Sequence, residues 1–236
     1  MKKKRRILNA ALVLLLAAAL ICGWRLLSER RESAAMDAAA DAAQGSKPAQ
    51  DDDAMDFAVL QAGNPDIIAW LAIPGTAIDY PVLQAADNEY YLTHDAEKKP
   101  NKNGALFLDY RVHADFSDFS SVIYGHHMKS GRMLQNLVLF KDKAYFDSHG
   151  EALLYMPGRT QRMEIFAVAL VHRDSPLYAY AFFSPAEQEA HLALLREKAM
   201  FFRDPNLAPG DRLILLSTCS YEYADARTIV VCKVPF

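Results

Sequence analysis

The sequence has little cysteine and no excess of basic residues. Among its 236 residues, 26 lysines and arginines are outnumbered by 29 aspartates and glutamates, which gives a formal net charge of -3. Nucleic-acid binding depends on concentrated positive charge, so this balance argues against a nucleic-acid partner. Of the 3 cysteines, Cys22 lies in an apolar run near the N-terminus. Only Cys219 and Cys232 remain, so the rest of the chain can contain at most one disulfide.

The N-terminus combines a basic cluster with a long apolar run. Basic residues fill positions 2–6, and apolar residues follow at 7–24 with Asn9 as the single interruption. At about 1.5 Å per residue, a helix of this length spans roughly 27 Å, close to the thickness of a bilayer core. We therefore expect a transmembrane signal anchor at 7–27, with residues 1–6 in the cytoplasm because positive charge favours that side. A cleaved signal peptide is the alternative.

The next segment lacks aromatic residues altogether. Between positions 28 and 53 the chain consists mainly of Ala, Asp, Ser, Gln and Lys. Such a composition cannot bury enough apolar surface to offset the entropy lost on ordering. Residues 28–55 are therefore predicted to be a flexible extracellular tether, which would leave residues 56–236 as one extracellular domain of ordinary size.

The domain at 56–236 is predicted to be mostly β. Short runs of β-branched and aromatic residues alternate with turn signals such as the Pro-Gly pairs at 74–75, 157–158 and 209–210. Eight short strands suggest a barrel. The predicted strands are 67–73, 78–83, 105–108, 121–124, 152–156, 163–171, 212–218 and 228–234. Two flanking helices are predicted at 133–140 and 185–202, the second opened by a capping box at Ser184 and Glu187.

The segment 216–231 carries the most informative pattern. Cys219 closes one apolar run, and Arg227 opens the next after a loop of seven residues. This arrangement places a thiol and a guanidinium at the same rim of a sheet. A thiol needs a base to become a nucleophilic thiolate, and His126 and His127 end another strand-like run about ninety residues upstream. The three residue types together indicate acyl transfer.

Three motifs of the chain resemble those of a known family. The LLSTC motif at 215–219, the arginine eight residues later and the YGHHM segment at 124–128 are similar to class B sortases, the cysteine transpeptidases of Gram-positive cell surfaces. The resemblance extends over residues 56–234 and includes the segments at 64–82 and 103–111. It implies an eight-stranded sortase-type barrel with a long helix between the sixth and seventh strands.

The resemblance also assigns catalytic roles. It implies that Cys219 is the nucleophile and that His126, the histidine directly after Gly125, is the base. His127 is then expected to be a hydrogen-bonding or rim residue, because adjacent rings point in different directions. Arg227 cannot act as a base because its guanidinium stays protonated, so we expect it to donate hydrogen bonds to an oxyanion or to substrate carbonyls.

The implied substrate is a surface protein with a C-terminal sorting signal. Cys219 would attack the carbonyl of a threonine-like residue, and an amine of a peptidoglycan crossbridge or of a pilin lysine would resolve the thioacyl enzyme. By motif position, Ser217, Asn88 and Leu92 are expected to contact the signal. Tyr180 could form part of the wall of a peptide site, or it could pack within the domain.

Neither a disulfide nor a metal is expected. If Cys219 and Arg227 face each other at the mouth of a hairpin, Cys232 lies about 17 Å further along the strand at roughly 3.4 Å per residue. A disulfide spans only about 4.4 to 6.8 Å between Cα atoms, so Cys232 is predicted to be a small buried hydrophobe. Adjacent histidines with a remote cysteine do not have the spacing of zinc ligands. No cofactor is expected.

Two other functional classes remain open. The same dyad could serve a secreted-side cysteine peptidase that uses water as the acceptor. A non-catalytic surface barrel that binds peptides is the third possibility. The apolar N-terminal run and Arg227 favour the anchored transpeptidase over the peptidase, and the full set of Cys219, His126 and Arg227 argues against a binding module.

Overall fold

The computed structural model describes residues 2–45, 47, 55–128, 130–207 and 210–235. The chain divides into two compact units, Met1–Ala39 and Ala40–Phe236. A single helix, α1, runs Lys2–Gly45 and includes the first part of the predicted tether, whereas residues 46 and 48–54 lie outside the described residues. In the part of the chain that the structure describes, no helix has both the length and the hydropathy needed to cross a membrane.

The second unit contains the predicted barrel. Its described strands are β1 Ile67–Ala72, β2 Asp79–Leu83, β3 Leu106–Leu108, β4 Ser120–Tyr124, β5 Glu151–Met156, β6 Arg159–His172, β7 Ala199–Phe202, β8 Arg212–Cys219 and β9 Ala226–Val234. Eight of them form a closed ring in the order β5-β1-β2-β3-β4-β8-β9-β6, and pairing between β5 and β6 closes it. The prediction of an eight-stranded barrel is therefore confirmed. The ninth described strand, β7, pairs with β6 outside this ring.

Both faces of the central strand β8 are buried, which explains its nearly continuous apolar sequence. Ile214 and Leu216 belong to one buried cluster with Cys232 of β9. Leu213 and Leu215 belong to another cluster that includes Leu195 of the long helix. The predicted burial of Cys232 is confirmed, since its side chain is fully inaccessible and its thiol is free. Burial raises the pKa of this thiol, which keeps it protonated.

The helices of the second unit differ in part from prediction. Helix α4, Pro185–Lys198, begins at the predicted cap, where Ser184 Oγ accepts from the Glu187 amide at 3.3 Å, while the Glu187 carboxylate accepts from the Phe183 amide at 2.6 Å and not from Ser184 as in a full capping box. It ends at Lys198 and not at 202 as predicted, because Ala199–Phe202 pairs with β6 as β7. The predicted helix at 133–140 is a 3-10 helix, Gln135–Lys141. The remaining helices are α2 Phe57–Gly63, α3 Lys143–Ser148 and the 3-10 turns Tyr90–Leu92 and Pro176–Tyr178.

Candidate active site

Cys219 and Arg227 lie opposite each other at one end of the barrel. Cys219 is the last residue of β8, and its register partner in the antiparallel β8–β9 pair is Arg227. The ladder continues one residue further, because the Ser220 amide donates to the Ala226 carbonyl at 2.9 Å. The connecting turn closes through Asp225, whose φ of 57° lies in the left-handed region that aspartate tolerates better than most residues. The predicted hairpin register is therefore confirmed.

The segment with the two histidines meets this hairpin because β4 runs parallel to β8. The carboxyl ends of parallel neighbours lie at the same edge of a sheet, so the residues after Tyr124 reach the end of β8. The Gly125 amide donates to the Ser217 carbonyl at 3.1 Å, and Thr218 Oγ1 donates to the Gly125 carbonyl at 2.8 Å. Glycine is needed at 125, since an added Cβ would lie 2.7 Å from Leu134 Cγ.

The two histidine rings point in different directions, as expected. His126 Nε2 lies 2.9 Å from the carbonyl oxygen of Leu92. A carbonyl oxygen only accepts hydrogen bonds, so Nε2 carries the proton and Nδ1 is left as the basic nitrogen. His127 Nδ1 likewise donates to the carbonyl of Cys219 at 2.9 Å, and its ring lies 5.0 Å from that of Tyr221. His127 thus binds the main chain of the predicted nucleophile.

A cleft of about 640 Å³ brings most of the predicted residues together. This volume is in the usual range for ligand sites, about 300 to 1,000 Å³. Cys219 and Arg227 are half-buried in it, which leaves them accessible to a peptide. Among the residues that line it are Asn88, Leu92, Arg111, Tyr124, His126, Tyr178, Ser217, Cys219 and Arg227. Tyr180 is not among them.

The predicted contact residues Asn88, Leu92 and Ser217 have local roles as well. Asn88 Oδ1 accepts from the Tyr110 amide at 3.0 Å, which fixes the side chain at the cleft. Leu92 supplies the carbonyl that holds His126, and its side chain is exposed. Ser217 Oγ lies 2.8 Å from the hydroxyl of Tyr178, which also lines the cleft. Burial raises the pKa of Tyr178 to about 12, so this hydroxyl stays protonated.

Arg111 is a cleft residue that sequence reasoning missed. Its Nε and Nη2 donate to the two carboxylate oxygens of Asp109 at 2.9 and 2.7 Å. Burial alone would raise the pKa of Asp109, but hydrogen bonds from Arg111 outweigh burial and lower it. The guanidinium carbon of Arg111 lies 4.1 Å from the centre of the Tyr180 ring. Tyr180 therefore supports the cleft through Arg111.

Arg227 already makes one hydrogen bond, from Nη1 to the carbonyl of Ala226 at 2.9 Å. A guanidinium has five N–H donors, so four remain for groups in the cleft or for solvent. Such an arrangement suits an anionic oxygen that forms beside the Cys219 thiol. Among the described residues, no group of three or more His, Cys, Asp or Glu side chains could hold a metal ion.

Comparison with known proteins identifies one family. The family model for the sortase domain matches residues 71–234. The chain is 35% identical over 174 residues to sortase B of Listeria monocytogenes, a match that covers 72% of this chain and 70% of that protein. It is 26% identical over 180 residues to sortase B of Staphylococcus aureus, with 75% and 74% covered.

Solved structures agree with these sequence matches. Sortase B of Clostridium perfringens superposes with a TM-score of 0.72 at 31% identity, covering 76% of this chain and 100% of that chain. Sortase B of Bacillus anthracis gives a TM-score of 0.73 at 28% identity, covering 87% and 96%. A class B sortase of Streptococcus pyogenes involved in pilus biogenesis gives 0.69 at 32% identity, covering 76% and 98%.

Proposed function

Since this chain belongs to the sortase family, as a class B cysteine transpeptidase, we propose that it cleaves a C-terminal sorting signal through a thioacyl intermediate on Cys219. The observation that carries the proposal is the shared cleft, which Cys219, His126 and Arg227 all line. A peptide in that cleft would meet a nucleophile, a base and an oxyanion donor together.

The first half-reaction forms the thioacyl enzyme. His126 takes the proton of Cys219, and the thiolate attacks the carbonyl carbon of a threonine-like residue in the signal. A carbon–sulfur bond forms while the carbonyl oxygen becomes an oxyanion that Arg227 stabilises with its free donors. When the peptide C–N bond breaks, the imidazolium of His126 gives its proton to the departing amine.

The second half-reaction transfers the acyl group to an amine. The incoming amine attacks the thioester carbon and loses a proton to His126, and the C–S bond then breaks to return the Cys219 thiolate. We propose a peptidoglycan crossbridge amine or a pilin lysine as this acceptor. The similarity to a class B sortase involved in pilus biogenesis keeps the second acceptor in view.

Contacts to the signal are assigned from the lining of the cleft. We propose that Asn88, Leu92 and Ser217 touch the peptide directly, because all three line the cleft that contains Cys219. Tyr180 is proposed to shape the same wall indirectly, through the guanidinium of Arg111 that stacks on its ring. No cofactor takes part in this scheme, because the two half-reactions only exchange protons and one acyl group.

The N-terminal segment is proposed to be a signal anchor at 7–27. Its support is the basic cluster at 2–6 followed by the apolar run at 7–24. The protein would then be a single-pass membrane protein with residues 1–6 in the cytoplasm and the catalytic unit outside. Deleting residues 1–27 should move the protein from the membrane fraction to the soluble fraction, and an unchanged membrane fraction would contradict the anchor.

A ligation assay tests the proposed activity. The full chain in detergent is incubated with a labelled peptide library that has a fixed threonine, with and without a peptide amine. We expect a ligated product when the amine is present, and we expect less hydrolysed peptide than in its absence. Hydrolysis to the same extent with and without the amine would indicate a cysteine peptidase. No turnover of any peptide would indicate a binding module.

A further inference from the structure

A hydrogen bond joins the two residues that directly follow Cys219 and Arg227. Thr228 Oγ1 donates to Ser220 Oγ at 3.0 Å. Both side chains are buried, with Thr228 at 0% and Ser220 at 5% exposure. Successive side chains of a strand point to opposite faces, so this contact lies behind the cleft that Cys219 and Arg227 line. On the face away from the cleft, this hydrogen bond therefore joins the two strands at the end of the hairpin.

The hydroxyl of Ser220 uses its full hydrogen-bonding capacity. It accepts from Thr228 Oγ1 and from Lys141 Nζ, the latter at 3.1 Å, and it donates to Glu222 Oε2 at 2.5 Å. A serine hydroxyl has one donor and two acceptor sites, so the three contacts saturate it. Lys141 and Glu222 also form an ion pair, which closes the network. Networks in which every member is satisfied are the ones that fix a single geometry.

Lys141 brings a third element into the network. It ends the 3-10 helix Gln135–Lys141, which is anchored by the fully buried side chains of Leu137 and Phe140. This helix packs against β8 and β9, and it follows the segment that contains His126. Burial would raise the pKa of Glu222, but hydrogen bonds from Lys141 and Ser220 lower it to about 2. The carboxylate is therefore ionised at neutral pH and remains a partner for Lys141.

We propose that Lys141, Ser220, Glu222 and Thr228, the Lys141 cluster, are positioning residues that hold Cys219 opposite Arg227. The inference rests on the proposed roles of these two residues. None of the four lines the cleft, so the cluster acts through the main chain of the hairpin end and not by touching the peptide. The turn at 220–225 also has other contacts, because the Arg173 amide donates to the Asp225 carbonyl at 3.0 Å and the Tyr221 ring lies beside that of His127. The Lys141 cluster adds a link from both strands of the hairpin to the 3-10 helix.

The expected consequence is a loss of rate and not of peptide affinity. Misplacing a reacting group by about 1 Å can cost about 100-fold in rate. Lys141→Met removes the ammonium but keeps the length of the side chain, and Thr228→Val removes only the hydroxyl. We expect each variant to lower the maximal rate of thioacyl formation at least about tenfold, with the half-saturating peptide concentration within about threefold of wild type.

Two further variants separate positioning from general damage. Lys141→Arg retains a cationic donor and should recover most of the rate. Lys143→Met is the matched control. Lys143 lies two residues further along the chain, and its ammonium pairs with Asp147 of the same helix, α3, and not with a residue of the hairpin. Because Lys141 and Thr228 both act through Ser220, the double variant should lose little more than the worse single variant.

The experiment combines single-turnover acylation with alkylation of the thiol. Acylation is followed by intact mass over a range of peptide concentrations, and a thermal melt checks that each variant folds. Folded Lys141→Met and Thr228→Val variants with wild-type acylation rates would overturn the proposal, as would a loss confined to peptide affinity or an equal loss in Lys143→Met.

Alkylation separates this inference from the proposed function. If the wild-type chain forms no thioacyl adduct, the proposed function fails by itself. The rate at which iodoacetamide alkylates Cys219 between pH 6 and pH 9 then tests the cluster without a peptide. We expect Lys141→Met and Thr228→Val each to slow alkylation at neutral pH at least about threefold, because a displaced thiol lies further from the Arg227 guanidinium, and Thr228→Val removes no charge. If the alkylation rates of these variants match those of the wild type between pH 6 and pH 9, the Lys141 cluster does not position Cys219.

Discussion

Arg227 is the direct cross-strand partner of Cys219, and its Nη1 is held by the carbonyl of Ala226. Directly opposite residues in an antiparallel pair have Cβ atoms about 4.5 to 5.5 Å apart. In the proposed mechanism, a guanidinium on that partner would be within reach of the carbonyl that the thiol attacks. One of its donors is held by the main chain, which restricts the orientation of the planar group before a peptide arrives.

Replacing Arg227 with lysine tests this orientation. The variant keeps the positive charge but exchanges a planar fork of donors for a compact and more strongly hydrated ammonium. We expect the rate of thioacyl formation to fall at least about a hundredfold, the scale of losing one oxyanion donor. The thermal midpoint should barely move.

Arg212→Lys is the matched control, because Arg212 lies at the opposite end of β8. It should retain a near wild-type rate. A near wild-type rate in Arg227→Lys would instead remove Arg227 from the catalytic machinery.

The two histidines should differ strongly in their effect on acylation. His126→Ala is expected to lose several orders of magnitude, because it removes the ring whose Nδ1 is left basic by the bond to Leu92. His127→Ala should lose far less, because it removes a hydrogen bond to the Cys219 carbonyl and not the base. Single-turnover acylation measures both, and an equal loss or a larger loss at position 127 would reject this assignment.

His191 should make the stability of the catalytic unit depend on pH. Its side chain is buried beside Phe119 and Phe182, and Nε2 has no hydrogen-bond partner among the described residues. Burial lowers its pKa from the ordinary value of 6.5 to about 4. In the unfolded chain the ring binds a proton first as the pH falls, so stability is fully present above pH 6.5 and is lost between about 6.5 and 4.

The loss can be measured by urea unfolding. A shift of this size corresponds to about 3 kcal/mol between pH 7.5 and pH 4. His191→Leu should remove that share of the pH dependence because leucine does not titrate. The prediction is wrong if wild type and His191→Leu lose the same free energy of unfolding over this range.

Much of the barrel could be predicted because its strands are marked by local chemistry. Each of the eight predicted strands corresponds to an observed strand of the ring. The failure at β7 has a clear cause. Residues 199–202 continue the apolar pattern of α4, and only the pairing of Phe201 and Phe202 with β6 makes them a strand. Such tertiary pairing is invisible to local propensity.

The part of the site that lies at the ends of β8 and β9 could be predicted from the sequence. Cys219 and Arg227 mark both sides of a turn, so their register followed from the pattern of two strands. Arg111 was missed because its bonds to Asp109 are local and only its stacking on Tyr180 joins it to a remote segment. The Lys141 cluster was missed because Lys141 itself comes from a remote segment. Lys141 meets Ser220 across 79 residues, and no spacing in the sequence indicates such a contact. For Tyr180 the sequence left two possibilities open, the wall of a peptide site and packing within the domain, and its ring is stacked against Arg111, which lines the cleft.

The thioacyl bond on Cys219 is the most direct test of the proposed mechanism. The full chain is mixed with a peptide that the ligation assay has identified, quenched in acid and analysed by intact mass and peptide mapping. We predict an adduct with the mass of the N-terminal peptide fragment on Cys219, lost on addition of an amine and absent from Cys219→Ala, which should still fold. An adduct on another residue, or a Cys219→Ala variant that still forms the adduct, would contradict the account.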